Sequence, residues 1–207
     1  MGIDLKRIQH QVFFLVVLPA CAIGLAWISN AIVAKLGLKD WTFLVESLGG
    51  LGAYGLLFLA FDHWLWRVAL FRWVGVVFLP DLSGRWAGEL RSSFDNHSVA
   101  HPIAVEIRQT FSAAHVCTYS VQSQSASITS AFVCEPNARY ALHYEYQNIP
   151  MINAAPTMHI HYGTAALQQG ADQSTLEGNY YNWGRDERGH IGTLKLTLTE
   201  KSLQYRL

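Results

Sequence analysis

The residues best suited to chemistry stand near the end of the chain, in the run Tyr180-Tyr181-Asn182-Trp183-Gly184-Arg185 followed by Arg188-Gly189. Aromatic faces stack on nucleobases and the planar fork of arginine matches phosphate oxygens, so this combination suits a nucleotide better than a sugar or a fatty acid. The same residues fit a plainer reading, in which the rings are ordinary strand residues with their bodies in a core and the arginines belong to a solvated turn. Charge narrows the ligand class. From residue 81 onward nine Lys and Arg stand against eleven Asp and Glu, which leaves no broad basic surface for polymeric nucleic acid. A local arginine pair still suits a small anion held in a pocket. In a regular strand Tyr180 and Tyr181 point to opposite faces, so at most one of them faces a lumen.

Other chemistry is absent. The chain has no P-loop, no nucleophile elbow and no HExxH, so the reading is a binding protein and not an enzyme. His159 and His161 share a strand face, but two alternating histidines without further ligands read as polar surface, and no metal or other cofactor is expected. Ser123, Ser125, Ser127 and Ser130 read as turn and strand polarity. Cys21 lies in the first apolar run, and Cys117 and Cys134, which make neither a CxxC nor a metal-ligand spacing, read as free, partly buried thiols of a reducing compartment.

The elements that carry these residues change character along the chain. From Leu82 onward the apolar period is two: Tyr140, Leu142, Tyr144 and Tyr146 share a face, as do Ile103, Val105 and Ile107, then Met158, Ile160 and Tyr162, then Leu194, Leu196 and Leu198. Turn signals at Asp95-Asn96-His97, Glu135-Pro136-Asn137, Pro150 to Pro156, Gln169 to Asp172 and Asp186 to Gly189 divide the region into about eight strands. Eight short antiparallel strands in hairpin succession solve their edge problem by closing into an up-and-down barrel, with an interior wide enough for side chains or one small ligand. An open sandwich is the alternative.

The first 80 residues are different. From Gln11 to Ala34 there is no Asp, Glu, Lys or Arg, which predicts a membrane-spanning helix over 11–34. The apolar stretch continuing over 42–63, flanked by Trp41, Trp64 and Trp66, predicts a second span; a buried soluble helix is the other reading of it. Lys6 and Arg7 before the first span and Arg67 and Arg72 after the second place both ends, and the β domain of residues 81–207, in the cytoplasm of a multi-pass inner-membrane protein. Leu18-Pro19-Ala20-Cys21 faintly resembles a lipoprotein cleavage box, but the apolar run continues well past it, which argues against cleavage. Ala20 with Gly24, Gly49 with Ala53, and Gly52 with Gly55 are small-residue pairs that favour helix association, within one hairpin or between chains. Residues 64–79, rich in Trp and Phe with Arg67 and Arg72, predict a helix at the membrane surface.

Taken in order, two membrane spans, Pro80-Asp81-Leu82-Ser83-Gly84-Arg85-Trp86-Ala87-Gly88, Arg108-Gln109-Thr110-Phe111, a Ser-rich hairpin, Leu142-His143-Tyr144-Glu145-Tyr146, His161-Tyr162-Gly163-Thr164-Ala165 and the Gly178 to Leu196 segment resemble a known family. It is the two-transmembrane, β-strand-rich effector family of bacterial CBASS anti-phage systems, receptors for cyclic dinucleotides. The resemblance covers nearly the whole chain, through short motifs whose specificity lies in their order. It implies an eight-stranded minimal barrel that binds a cyclic dinucleotide made by a partner nucleotidyltransferase, after which the membrane segments oligomerise, disrupt the inner membrane and arrest growth. It further implies stacking or lining roles for Trp86, Tyr144, Tyr146, Tyr180 and Tyr181, phosphate contacts for Arg108, Arg185 and Arg188, and association through Gly24, Gly49, Gly52 and Ala53. The family's Tyr-aromatic-Thr then Gly-Arg segment is here interrupted at Asn182 and Trp183. A membrane-tethered, lipocalin-like lipid or small-molecule carrier is the alternative, and it predicts an apolar lumen without arginine.

Overall fold

A computed structural model describes residues 12–37, 42–135, 139–156, 158–183 and 189–204, with the side chains of the second helix described from residue 52 onward. The chain forms two compact units, Met1–Phe78 and Leu79–Leu207.

In the first unit, α1 runs over Phe13–Lys35 and α2 over Thr42–His63. The opening turn of α1, Phe13–Val17, is π-helical, and Pro19 sits just inside the regular helix that follows. Proline has no N–H for the carbonyl four residues back and its ring crowds that carbonyl, so a widened turn ahead of it relieves both defects. Phe13 and Phe14 of α1 pack on Phe61 of α2 with ring centroids 5.2 Å away in each case. Among the described residues one helix, Phe13–Lys35, is long and apolar enough to cross a membrane. Of the two expected spans this supports the first; the second coincides with the continuous helix α2, whose side chains before residue 52 lie outside the described residues.

The surface helix expected over 64–79 is broken. A 3₁₀ turn covers Leu65–Arg67, Val68 is extended at ψ 131°, and α3 spans only Ala69–Trp73. Gly75 ends it in the left-handed region at φ 72°, with Gly75 N–H bonding Arg72 O at 3.1 Å and Val76 N–H bonding Phe71 O at 2.9 Å. That pair of bonds is a Schellman cap, which a residue with a Cβ adopts at a cost.

The second unit is a closed barrel of eight antiparallel strands in sequence order: β1 Gly84–Ser92, β2 His101–Gln109, β3 Ala114–Ser120, β4 Ser123–Cys134, β5 Tyr140–Pro150, β6 His161–Gln169, β7 Thr175–Trp183 and β8 Gly189–Glu200. Each strand pairs with the next, and β8 returns to β1, so no edge is left. Alternate residues point inward and form one core that includes Trp86, Val105, Ile107, Leu142, Leu167 and Leu176. At the end where β1 begins, Leu82 is tucked into this core. Its N–H bonds Gln109 Oε1 at 2.8 Å, the Gln109 amide returns a bond to Pro80 O at 2.9 Å, and the Trp86 indole donates to Leu82 O at 2.9 Å.

One local reading changes, and one irregularity is added. The face Met158-Ile160-Tyr162 is not a core face: β6 begins at His161, Ile160 and Tyr162 are exposed, and Gly163, Ala165 and Leu167 point inward. Apolar size misled because the inward positions here are small. In β4 the register shifts between Ser127 and Thr129, leaving Ile128 exposed. There Val116 N–H bonds Ser127 Oγ and the Ser130 hydroxyl donates to Ala114 O, so serine side chains replace ladder bonds where β4 bulges from β3.

Candidate ligand-binding lumen

Three tyrosines enter the barrel beyond its apolar floor. Tyr144 and Tyr146 alternate on β5, and Tyr180 stands on β7, all three buried. The register explains how they fit. Tyr144 and Tyr180 both pair with Ala165, Tyr146 pairs with Gly163, and Tyr180 also pairs with Gly192. A Cβ on Gly163 would lie 2.5 Å from Tyr146 Cζ, and one on Gly192 would lie 2.3 Å from Tyr180 Cε1. The glycines are therefore the floor on which the rings lie. The Tyr144 and Tyr146 rings are 6.0 Å apart, centroid to centroid, at 48°.

Their hydroxyls are neutral donors over the physiological range. Burial pushes the Tyr144 phenol up to about 12, against a hydrogen bond to Thr118 that lowers it. Burial also raises Tyr146, and raises Tyr180 against its hydrogen bond to Ser92. Tyr146 has no hydrogen-bond partner of its own among the described residues. Toward the far end the lining turns polar: Ser92, Ser123 and Asn148 are buried, and the Ser120 hydroxyl donates to Ser123 O at 2.9 Å. Nearby, in the β1–β2 connection, Asp95 and His101 pair at 2.7 Å, and this bond holds the Asp95 carboxyl below its usual range.

The other expected site residues are distributed differently. Trp86 is fully buried with its indole N–H already bonded, a floor residue. Tyr181 points to the outer wall, 41% exposed, with its ring 6.3 Å from that of Trp183. Arg108 is exposed on the outer wall because it alternates with the buried Ile107 and Gln109. Arg85 is also on that wall, in a buried pair with Glu106 at 2.8 Å that accepts a further bond from Gln204 N–H. Arg185 and Arg188 lie outside the described residues, between Trp183 and Gly189 in the sequence. Among the described strands no Lys or Arg occupies an inward position.

In the first unit, a Cβ on Gly24 would meet nothing within 4 Å, and the buried positions of α1 are Leu18 and Ala22, so the Ala20–Gly24 face is open. Gly52 is exposed and Ala53 half-buried, while the surroundings of Gly49 lie outside the described residues.

Sequence reasoning missed Gly163, Gly192, Ser92, Ser120 and Asn148. The pairing register alone connects the glycines to the tyrosines. It also missed an open groove of about 820 Å³ across the middle of β4–β8, bordered by Tyr144 and Tyr180 from the inner face and by His143, Thr164, Asn179 and Tyr181 from the outer. The expected partly buried Cys134 is exposed, as is Cys21, whereas Cys117 is half-buried with its thiol raised by burial. The His161 Nδ1 bonds His159 O at 2.9 Å, and among the described residues no group of three or more His, Cys, Asp and Glu is placed to hold a metal ion.

A closed barrel with a sealed apolar floor and a tyrosine-lined, polar far end is the architecture of a small-ligand receptor. Residues 77–198 match the family described as Cap15, cyclic dinucleotide receptor domain, and since this is more than half of the chain, the chain belongs to that family of CBASS effectors. No curated protein matches the chain.

Proposed function

We propose that the chain is an anti-phage effector that binds a cyclic dinucleotide in the tyrosine-lined part of its barrel and responds through its N-terminal helices. Family membership supports the ligand class. The observation that carries the site is Tyr146, a buried, lumen-facing tyrosine whose hydroxyl has no partner among the described residues, flanked by Tyr144 and Tyr180. Stacking by these rings and phosphate contacts from Arg185 and Arg188 would together fit a small cyclic anion. A partner nucleotidyltransferase supplies it.

On this reading α1 and α2 both span the inner membrane, the barrel is cytoplasmic, and ligand drives oligomerisation through the face of Gly24, Gly49, Gly52 and Ala53. Membrane disruption and growth arrest follow. The open Ala20–Gly24 face supports contacts between chains over packing within one hairpin.

Calorimetric titration of the detergent-solubilised chain with a panel of cyclic dinucleotides tests the ligand. One member binds, and Arg185→Ala weakens it by roughly ten- to a hundredfold, the worth of one charge-assisted contact. The absence of Lys and Arg from the described inward positions favours the second reading, a lipid or small-molecule carrier; binding of fatty acids but of no cyclic dinucleotide would establish that reading instead. For the output, cells co-expressing an active cyclase take up an impermeant dye, and Gly52→Leu stops uptake without changing affinity. Dye entry that is the same with and without the cyclase removes the effector role.

A further inference from the structure

We propose that the first unit holds one acyl chain of an anionic phospholipid in a groove between the start of α1 and the α3 turn. The inference rests on the membrane reading above. An open groove of about 420 Å³ is walled by Phe13 and Val17 on one side and by Leu70, Phe71, Val74 and Val76 on the other. Every one of these side chains is apolar, so the groove offers nothing to a polar ligand.

Its geometry comes from local chemistry. The Schellman cap at Gly75 reverses the chain and brings Val76 N–H onto Phe71 O, which sets both residues on the same wall. Phe71 packs on Phe61 at 5.1 Å, and Phe13 of the facing wall meets its ring edge-on at 5.6 Å. The groove is thus preformed, and it opens beside the first turns of the helix that is long and apolar enough to cross a bilayer. Hydrocarbon is the solvent such a helix meets.

Charge selects the headgroup. From Trp64 to Pro80 there is no Asp or Glu, while Arg67 and Arg72 flank the groove-forming residues. Arg67 is engaged, with its guanidinium 4.7 Å over the Trp66 ring and Nη1 donating to His63 O at 2.6 Å. Arg72 is exposed, makes no ion pair among the described residues, and follows Phe71 directly, its Cα about 3.8 Å from that of the wall residue. Trp73, 83% exposed, supplies an indole of the kind that settles at the headgroup level. An acyl tail in the groove with its phosphate against Arg72 satisfies all of these together.

The test uses the full chain reconstituted into phosphatidylcholine vesicles with or without phosphatidylglycerol, floated, extracted in mild detergent and examined for retained lipid by native mass spectrometry. Wild type retains one phosphatidylglycerol in preference to phosphatidylcholine. Val74→Trp, which fills the groove from a partly exposed position, retains about tenfold less of either lipid. Arg72→Gln keeps a lipid but loses about fivefold in headgroup preference. Equal retention by wild type and Val74→Trp overturns the groove, and unchanged preference in Arg72→Gln overturns the headgroup contact. A chain that floats with vesicles yet shows either result refutes the lipid site alone; a chain that does not float refutes the membrane reading as well.

Discussion

The two ends of the barrel lumen are built on the same eight strands and do opposite things. Toward the Pro80 end, Leu82, Trp86, Ile107, Leu142 and Leu167 fill the interior, and the polar atoms there, the Trp86 indole and the Gln109 amide, are bonded to backbone. Toward the other end, inward positions hold Tyr146, Tyr180, Ser92 and Asn148, set against Gly163 and Gly192. One rule of alternation yields a packed plug at one end and a ring-lined, hydroxyl-bearing chamber at the other. What differs is the chemistry of the inward side chains, aliphatic and indole at the floor but phenol, hydroxyl and amide where the tyrosines lie. Glycines face large residues at both ends, Gly178 against Leu167 as Gly163 against Tyr146. If the tyrosine end binds the ligand as proposed, stability and recognition are separated along the strand axis, and substitutions at the two ends should fail in different assays.

The largest effect belongs to the floor. Trp86→Ala removes a fully buried ring and its bond to Leu82 O, and is expected to cost about 3–5 kcal/mol in denaturant unfolding of the detergent-solubilised chain. Tyr180→Phe, at the other end, is expected to cost only about 1 kcal/mol, the net worth of one hydrogen bond. A similar cost for both would erase the distinction between plug and chamber.

Alkaline pH sharpens it next, because the chamber phenols titrate there, beside Tyr119 of β3, which burial also pushes up to about 12. With its phenol raised from 10.0 to about 12, the folded barrel holds the Tyr144 proton more tightly than the unfolded chain does. This contribution is present in full below pH 10, falls as pH rises from 10 to 12, and is gone above the folded value, a loss of about 2–3 kcal/mol. Unfolding free energies measured across that window should decline steeply in wild type, and Tyr144→Phe should flatten the decline. If the slope survives in the variant, it comes from the other raised phenols.

A third substitution acts on the chamber by volume. Gly163→Ala would press a methyl into the Tyr146 ring and the Tyr181 carbonyl, at 2.5 and 2.7 Å from the added carbon. Overpacking of this kind costs about 1–3 kcal/mol, and the displaced ring should weaken ligand more than it weakens the fold. Parallel calorimetry and unfolding on the one variant decide it; a ligand affinity equal to wild type would detach Tyr146 from the site.

How much of this was legible in sequence depends on which distance mattered. Alternation is local, so the inward set Ile103-Val105-Ile107 and Leu142-Tyr144-Tyr146 and the opposed faces of Tyr180 and Tyr181 could be read directly, as could closure of eight strands into a barrel. Pairing register is not local. Nothing near Gly163 in sequence announces that Tyr146 lies on it, and the bulge at Ser127 depends on β3, across a hairpin. The Met158-Ile160-Tyr162 face failed for a related reason: a chamber built to hold rings uses small inward residues, and a scan for large apolar ones picks the wrong face. The break at Val68 and Gly75 was hidden within a continuous aromatic and aliphatic run, where composition favours burial but says little of backbone direction.

The smallest expected effect is also the most discriminating for the arginines. By motif Arg108 stands beside Arg185 and Arg188 as a phosphate contact, yet alternation with Ile107 and Gln109 puts it on the outer wall. On that exposed wall Arg108 acts electrostatically on Cys117 and Tyr119 of β3, and replacing a surface side chain of this kind changes stability by about 0.5 kcal/mol. A phosphate held in the chamber would not feel it closely, since bulk solvent screens exposed charge beyond roughly 8–10 Å. Arg108→Ala should therefore leave cyclic dinucleotide affinity within about twofold, against the much larger loss expected for Arg185→Ala. Titration of both variants in one buffer makes the comparison. Equal, large losses would mean that the ligand rests on the outer wall, where the groove beside Tyr181 would become the site and the tyrosine chamber part of the core.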